Sequence, residues 1–235
     1  PGARCNCKPR PLLDALGHHL VTGCRNDGGR QNTHDSIKRC IATALRDAGL
    51  VTVEEEVGAF REAAPDCGKR PDLTVRRGAL HHLDLVLDVS VTCPLRGAQS
   101  AQTETIVMSR ENAAKAGRAA MVAFNGKTSI YKHLAIANNL EFLPLIFESA
   151  GYFEDSACAF IYRVAKQASE MKQIPLDPLY KYWIKRISVT MQKALSMALH
   201  KKVLILTSKG YNKNCEEHGV SAVDMDNIHI GNIRF

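Results

Sequence analysis

No stretch of this 235-residue chain stays apolar for the roughly 18 to 20 residues that span a bilayer, and no basic-then-apolar leader ending at a small-residue cleavage site is visible. Internal repeats and low-complexity blocks are missing as well. With 45% hydrophobic and 23% charged residues, the composition excludes a disordered tail and a fibrous array. The length suffices for one large or two small domains whose core needs no covalent staples. These absences lead to the expectation of an intracellular protein with no membrane partner. The chain opens at Pro1 with a cysteine cluster four residues on, which reads as a fragment of something longer.

What is present is positive charge and cysteine. Lys and Arg number 31 against 24 Asp and Glu, a net charge of +7 that favours an acidic partner such as nucleic acid. The distribution is uneven: Phe160 to Lys202 holds nine basic and two acidic residues, a net +7 within that stretch. Of the eight cysteines, Cys5, Cys7 and Cys24 fall in the first 24 residues beside His18 and His19. In reducing surroundings clustered cysteines bind metal more often than they pair. Three thiolates and one imidazole make a tetrahedral Zn²⁺ set, with His19 preferred over His18; the alternative is two stray cysteines and an unrelated third. Cys40 belongs to an apolar helix face, and Cys67, Cys93 and Cys158 have no metal-like spacing. Cys215 and His218 supply only two ligands, and His81 and His82 flank a turn.

Residues 1–32, rich in Gly, Pro, Arg, Asn and Cys, predict a loop-dominated module. A helix follows, with Thr33 as its cap, Ile37, Cys40, Ile41, Ala44, Leu45 and Ala48 at helical spacing, and Gly49 as its stop. Leu50–Val57 alternates as a strand, and residues 72–75 and 83–92 predict two strands of a hairpin. Residues 98–124 predict one helix and, after Gly126, Lys127–Asn138 a second; Glu141–Ser149 predicts a strand. Glu154–Met171 and Asp177–Lys202 predict longer helices, the latter capped by Asp177 with Pro178 at its first position. The domain division that follows is a metal module at 1–32, a core at 33–152 and a basic helical extension at 153–235.

Asp88 is the most informative residue, a carboxylate inside the apolar strand Leu85 to Val91. A buried carboxylate costs several kcal/mol unless it is paired or coordinates a cation. Strand alternation puts Asp84, Val86, Asp88 and Ser90 on one face and Leu85, Leu87, Val89 and Val91 on the other. If the hairpin brings Asp72 beside Asp88, two carboxylates converge as a hard divalent cation requires. The plainer alternative is a half-exposed Asp88 with Asp72 as a turn residue. Lys127 and Tyr131 lie i, i+4 apart on one helix face, where an ammonium could stabilise charge on a phosphate or the pair could simply face solvent. Tyr180, Tyr182 and Trp183 among lysines suit stacking on bases or packing between helices equally.

The order helix, strand, Pro-Asp hairpin with a second Asp, helix, strand resembles the PD-(D/E)XK or restriction-endonuclease-like α/β fold, a mixed central sheet flanked by helices. The Cys/His cluster, Arg30 and His34 opening a helix, Arg70-Pro71-Asp72, Leu87-Asp88-Val89-Ser90-Val91, and Lys127 with Tyr131 resemble something narrower. They are similar to the restriction-like endonuclease domain of site-specific non-LTR retrotransposon reverse transcriptases, with its preceding CCHC zinc motif, over roughly residues 5 to 150. That resemblance implies a Mg²⁺- or Mn²⁺-dependent endodeoxyribonuclease that nicks target DNA to prime reverse transcription in the nucleus. Its partners would be DNA, RNA and a reverse transcriptase domain in the parent polypeptide. It implies Asp72 and Asp88 as metal ligands, Lys127 as the lysine drawn from the helix, accompanied by Tyr131, and Ser90 where the wider superfamily carries lysine. A further acid would come from Glu54, Glu55 or Glu56. It also implies Cys5, Cys7, His19 and Cys24 as zinc ligands. Arg30, His34 and Arg70, with Lys181, Lys185 and Arg186 of the basic stretch, are the candidate nucleic-acid contacts. Two readings stay open beside it: an inactive nuclease-like binding or scaffold domain, and a stand-alone DNA repair nuclease of the same superfamily.

Overall fold

The computed structural model describes residues 29–61, 69–77, 82–94, 112 and 114–218. The zinc candidates Cys5, Cys7, His18, His19 and Cys24, and also Cys67 and His81, lie outside the described residues, as do the side chains of Arg30, Cys215 and His218. Through Leu199 the described residues form one compact unit, and from His200 they form a second, helical as far as His218.

The first unit is mixed α/β, as its alternating apolar patterns require. Its elements are α1 (Gly29–Asp47), β1 (Thr52–Glu54), β2 (Leu73–Val75), β3 (Asp84–Thr92), α2 (Arg118–Ala137), β4 (Leu140–Glu148), α3 (Asp155–Lys172) and the start of α4 (Leu176–His218). The strands form a four-stranded sheet in the order β1-β2-β3-β4, antiparallel at β1/β2 and β2/β3 and parallel at β3/β4. Pro144 is tolerated in β4 because β4 is the edge of this sheet.

The period-2 alternation of β3 distributes the core between two faces. Leu85, Leu87 and Val89 join Leu73, Val75, Leu145 and Phe147 in a large cluster with the apolar stripes of α1, α3 and α4. The stripe of α3 is Ala157, Phe160, Ile161, Val164, Ala165 and Ala168, and α4 adds Trp183, Ile187 and Met191 at i, i+4, i+8. On the opposite face Val86 packs with Phe60, Leu134 and Ala135 under α2. Asp88 shares the face of Val86 and therefore points toward α2.

Several expected boundaries shift, each for a local reason. Helix α1 starts at Gly29 instead of after Thr33, and Thr33, four residues before Ile37, is buried on the helix's inner face instead of capping it. Strand β1 shortens to three residues because its partner β2 is only three long and because Glu55 adopts φ 49°. Gly49, with φ 71°, ends α1 as expected. Gly126 does not divide two helices: α2 runs through it, and Gly117, at φ 78°, precedes its first turn instead. Glu154 caps α3 by accepting the Ser156 N–H at 2.8 Å. Asp177 lies within the first turn of α4 instead of capping it.

An uninterrupted helix at Gly126 carries an avoidable entropic cost, and a Cβ built there meets nothing within 4 Å. Gly126→Ala should therefore raise stability by about 0.5–1 kcal/mol. The measurement is thermal unfolding followed by circular dichroism, with an upward shift of about 2–4 °C per kcal/mol. A lower midpoint would mean that Gly126 needs its bare Cα.

Candidate functional site

Asp72 and Asp88 meet because of strand register. Leu73 is opposite Leu87 in the antiparallel β2/β3 pair, so one step further sets Asp72 across from Asp88, and the Asp72 N–H donates to the Leu87 carbonyl at 3.0 Å. Both carboxylates open into a polar cleft of about 340 Å³ that is also lined by His34, Glu55, Arg70 and Lys127. Ser90, two residues after Asp88, lines the same cleft.

Asp88 is 7% exposed, and burial pushes its carboxyl above the usual range, opposed by the ammonium of Lys127. Lys127 Nζ donates to Oδ1 at 3.0 Å and lies 2.9 Å from Oδ2 in ion-pair contact. Oδ2 is buried, with the Lys127 ammonium as its partner. Helix α2 delivers Lys127 because its N-terminal turn is fastened to the far end of β4, where the Glu148 carboxylate, 3% exposed, accepts the Ala120 N–H at 3.0 Å.

Asp72 Oδ2 accepts the Val89 N–H at 2.6 Å and faces His34 Nε2 at 3.0 Å. The other ring nitrogen of His34 lies 2.9 Å from Asp35 Oδ1. Carboxylates only accept, so an imidazole between two of them donates from both nitrogens and is cationic. The hydrogen bond to Asp72 accordingly raises the His34 pKa to about 9, against the opposing effect of burial.

Of the three candidate further acids, Glu55 lines the cleft. It sits 2.5 Å from Lys38 Nζ and 3.7 Å from Arg70, and the bond from Lys38 holds its carboxyl below the usual range. Its N–H donates to the Asp72 carbonyl at 3.1 Å, tying this turn to the metal-candidate residue. Glu54 instead pairs with Lys38 and Arg46, and Glu56 with Arg76. Lys38, only 5% exposed, was not among the candidates read from the sequence. The signal was there: Gln31, His34 and Lys38 recur at i, i+3, i+7 on one polar stripe of α1.

Tyr131 stands behind Lys127. Its ring stacks on Phe142 at 5.3 Å and tilts against Phe60 at 6.1 Å, and the ammonium nitrogens of Lys127 and Lys69 lie over it at 5.6 and 5.2 Å. Far along the chain, Lys185 is exposed, Lys181 pairs with Asp177 at 2.8 Å, and Arg186 stacks on Trp183 and Tyr182. Trp183 is 0% exposed and belongs to the core, which removes it as a stacking platform for a base. Tyr180 meets Tyr162 edge-on at 5.5 Å, and Tyr182 remains exposed.

Among the described residues no group of three or more His, Cys, Asp or Glu side chains gathers as a metal cage. The Asp72 and Asp88 pair nevertheless fits a Mg²⁺- or Mn²⁺-like ion, which keeps several waters and needs one or two carboxylates. The Lys127 ammonium lies against both oxygens of Asp88, so such an ion would take its place at, or share with it, a carboxylate that already holds a cation. No helix among the described residues is long and apolar enough to cross a membrane.

Folded His34 keeps its proton between pH 6.5 and about 9, where a free imidazole has lost it. Its contribution to stability is full below pH 6.5 and disappears as pH rises through about 9. A proton NMR titration of the ring in metal-free buffer should give a midpoint near 9, and Asp72→Asn should bring it down toward 6.5. A midpoint near 6.5 in the unsubstituted protein would mean that the bridge to Asp72 does not form.

No family model matches the chain. Over 170 residues, 70% of its length, it is 31% identical to the retrotransposable element SLACS 132 kDa protein of Trypanosoma brucei gambiense. The aligned part covers 13% of that much longer protein. The chain is thus a weak homologue of a retrotransposon protein, a likeness consistent with a retrotransposon origin.

Proposed function

We propose that this chain is a metal-dependent DNA endonuclease domain of the PD-(D/E)XK type, belonging to a retrotransposon protein and nicking the target DNA that primes reverse transcription. The observation that carries the reading is the convergence of Asp72 and Asp88 in one cleft with Lys127 Nζ 3.0 Å from Asp88. Asp72 and Asp88 would hold Mg²⁺ or Mn²⁺, and when bound that ion supplies charge for a phosphate oxygen and acidifies a water. Lys127 is placed to offset the negative charge that grows on the phosphoryl group, from a helix fixed at its N-terminus by Glu148. Arg70, exposed at the rim, and the outward-facing Lys181 and Lys185 suit contacts with the DNA backbone. The likeness to a retrotransposon protein favours a place inside a longer polypeptide over a stand-alone repair nuclease. Reverse transcriptase and RNA as neighbours, and action in the nucleus, belong to the proposal through the motif resemblance alone.

A second reading has a specific observation in its favour. Both carboxylates already face a cationic side chain, His34 on Asp72 and Lys127 on Asp88, as they would in a nuclease-like domain that had lost its metal and only binds nucleic acid. Nicking of supercoiled plasmid in Mg²⁺ or Mn²⁺ separates the two. The expected outcome is nicking by the unsubstituted chain, none by Asp88→Asn, and a rate about 10²-fold lower for Lys127→Gln with DNA affinity little changed. Undiminished nicking by a folded Asp88→Asn would remove this site, and no nicking by any form would leave the binding domain.

The N-terminal cluster is the other half of the proposal. By their donor chemistry Cys5, Cys7, His19 and Cys24 suit one structural Zn²⁺ that orders a module poor in apolar residues. Elemental analysis of carefully prepared protein should find about one zinc per chain, lost on Cys24→Ser. A metal-free preparation with the same DNA affinity would defeat it.

A further inference from the structure

Lys69 and Lys127 come from different parts of the fold, one from the segment that leads into Pro71 and the other from α2, yet both ammonium groups lie over the single ring of Tyr131. Like charges brought to one ring repel, and the ring's quadrupole offsets that only in part. Asp88 neutralises Lys127, but Lys69 is exposed and makes no ion pair among the described residues. Its neighbour Arg70 turns the other way, toward Glu55 on the α1 side of the cleft. The segment Lys69-Arg70-Pro71 therefore forms a lip with one cation directed to the Tyr131 ring and the other to Glu55.

Resting on the nucleic-acid reading above, we propose that Lys69 and the Tyr131 ring build a phosphate subsite at the α2 side of the cleft. It would hold a backbone phosphate of a nucleic-acid strand beside the one met by Lys127. Tyr131 is then a positioning residue: its ring holds both ammonium groups by cation–π contact, while its packing on Phe60 and Phe142 keeps the ring fixed. The phenol oxygen has no part in this role. Lys69, unlike Lys127, pairs with no carboxylate among the described residues, so its charge is available for steering and for counterion release.

The test uses the whole chain and a fluorescein-labelled DNA duplex, read by anisotropy over a range of KCl in buffer without Mg²⁺, Mn²⁺ or chelator, so that the nuclease metal is withheld and the N-terminal zinc is kept. Lys69→Gln should reduce the slope of log affinity against log salt by about 0.9, the value for one phosphate contact. Tyr131→Leu should lose the same portion of slope, and Tyr131→Phe, which keeps the ring, should restore it. An unchanged slope in Lys69→Gln overturns the subsite, as does a Tyr131→Phe as impaired as Tyr131→Leu, which would return the role to the hydroxyl. Should Tyr131→Leu fail to fold, the exposed Lys69→Gln alone decides. A chain that binds with the Lys69-dependent slope but never nicks plasmid upholds the subsite and defeats the nuclease reading. A chain that nicks with a slope indifferent to Lys69 does the reverse.

Discussion

A carboxylate in the middle of an apolar strand must be neutralised, and the pairing of Asp88 with Lys127 is the interaction around which the rest of the site is arranged. It joins β3 to α2 across the smaller face of the sheet, whose apolar cluster among the described residues is Phe60, Val86, Leu134 and Ala135, with Ile146, Ala119 and Ala120 also buried. That face has less apolar burial than the other, so a specific polar contact has more influence on where α2 lies. The pairing is also adjustable. Burial already raises the carboxyl of Asp88, so when Lys127 withdraws, the group can take up a proton or a metal ion instead of remaining a bare charge. The proposed exchange of a side-chain cation for a metal ion would draw on this property.

The position of Lys127 depends on both ends of its helix. At the C-terminal end, Asn138 and Asn139 turn the chain directly into β4, and Asn139 takes a positive φ of 54° to do so. At the other end the Glu148 carboxylate, at the close of β4, accepts from the first turn of α2. Helix and strand are thus fastened to each other at both ends, and β4 is itself hydrogen-bonded along its whole length to β3, which carries Asp88. The two partners of the ion pair are fixed on neighbouring, mutually bonded elements, which is how a 3.0 Å contact is held without either residue being in a loop.

Much of this was legible in the sequence because it follows from a period of two. The alternation across residues 84–91 assigns Asp88 and Leu87 to opposite faces, and the turn chemistry of Gly68-Lys69-Arg70-Pro71 sets Asp72 at the mouth of β2. The facing pair then needs only an antiparallel register. On α1, His34 is a candidate from the sequence and Lys38 is not. The polar stripe that holds both is visible in the spacing, but the role of Lys38 comes from Glu55, 17 positions away, and no local pattern encodes that pairing. Gly126 misled because a glycine's helix penalty is small enough, about 1 kcal/mol, for packing on either side to override it. For Trp183 the sequence leaves stacking on bases and packing between helices equally open, and packing holds: Lys181, Lys185 and Lys193 are exposed while Trp183, Ile187 and Met191 are buried on the inner face of α4.

The same distinction bears on the basic stretch from Phe160 to Lys202. Its net charge of +7 is real, but charge counted along a sequence is not charge offered to a ligand. Lys166 reaches Glu170, Lys172 reaches Asp47, Lys181 reaches Asp177, and Arg186 spreads over Tyr182 and Trp183. Exposed ion pairs of this kind are worth about 0–1 kcal/mol, less than a phosphate contact with its released counterions supplies. The pairs therefore do not withhold these lysines from a polyanion; they set a weak resting arrangement that a nucleic-acid backbone can displace. At the cleft the balance is the opposite, because Asp88 is buried, and there only a group that replaces the cation in kind can draw Lys127 away.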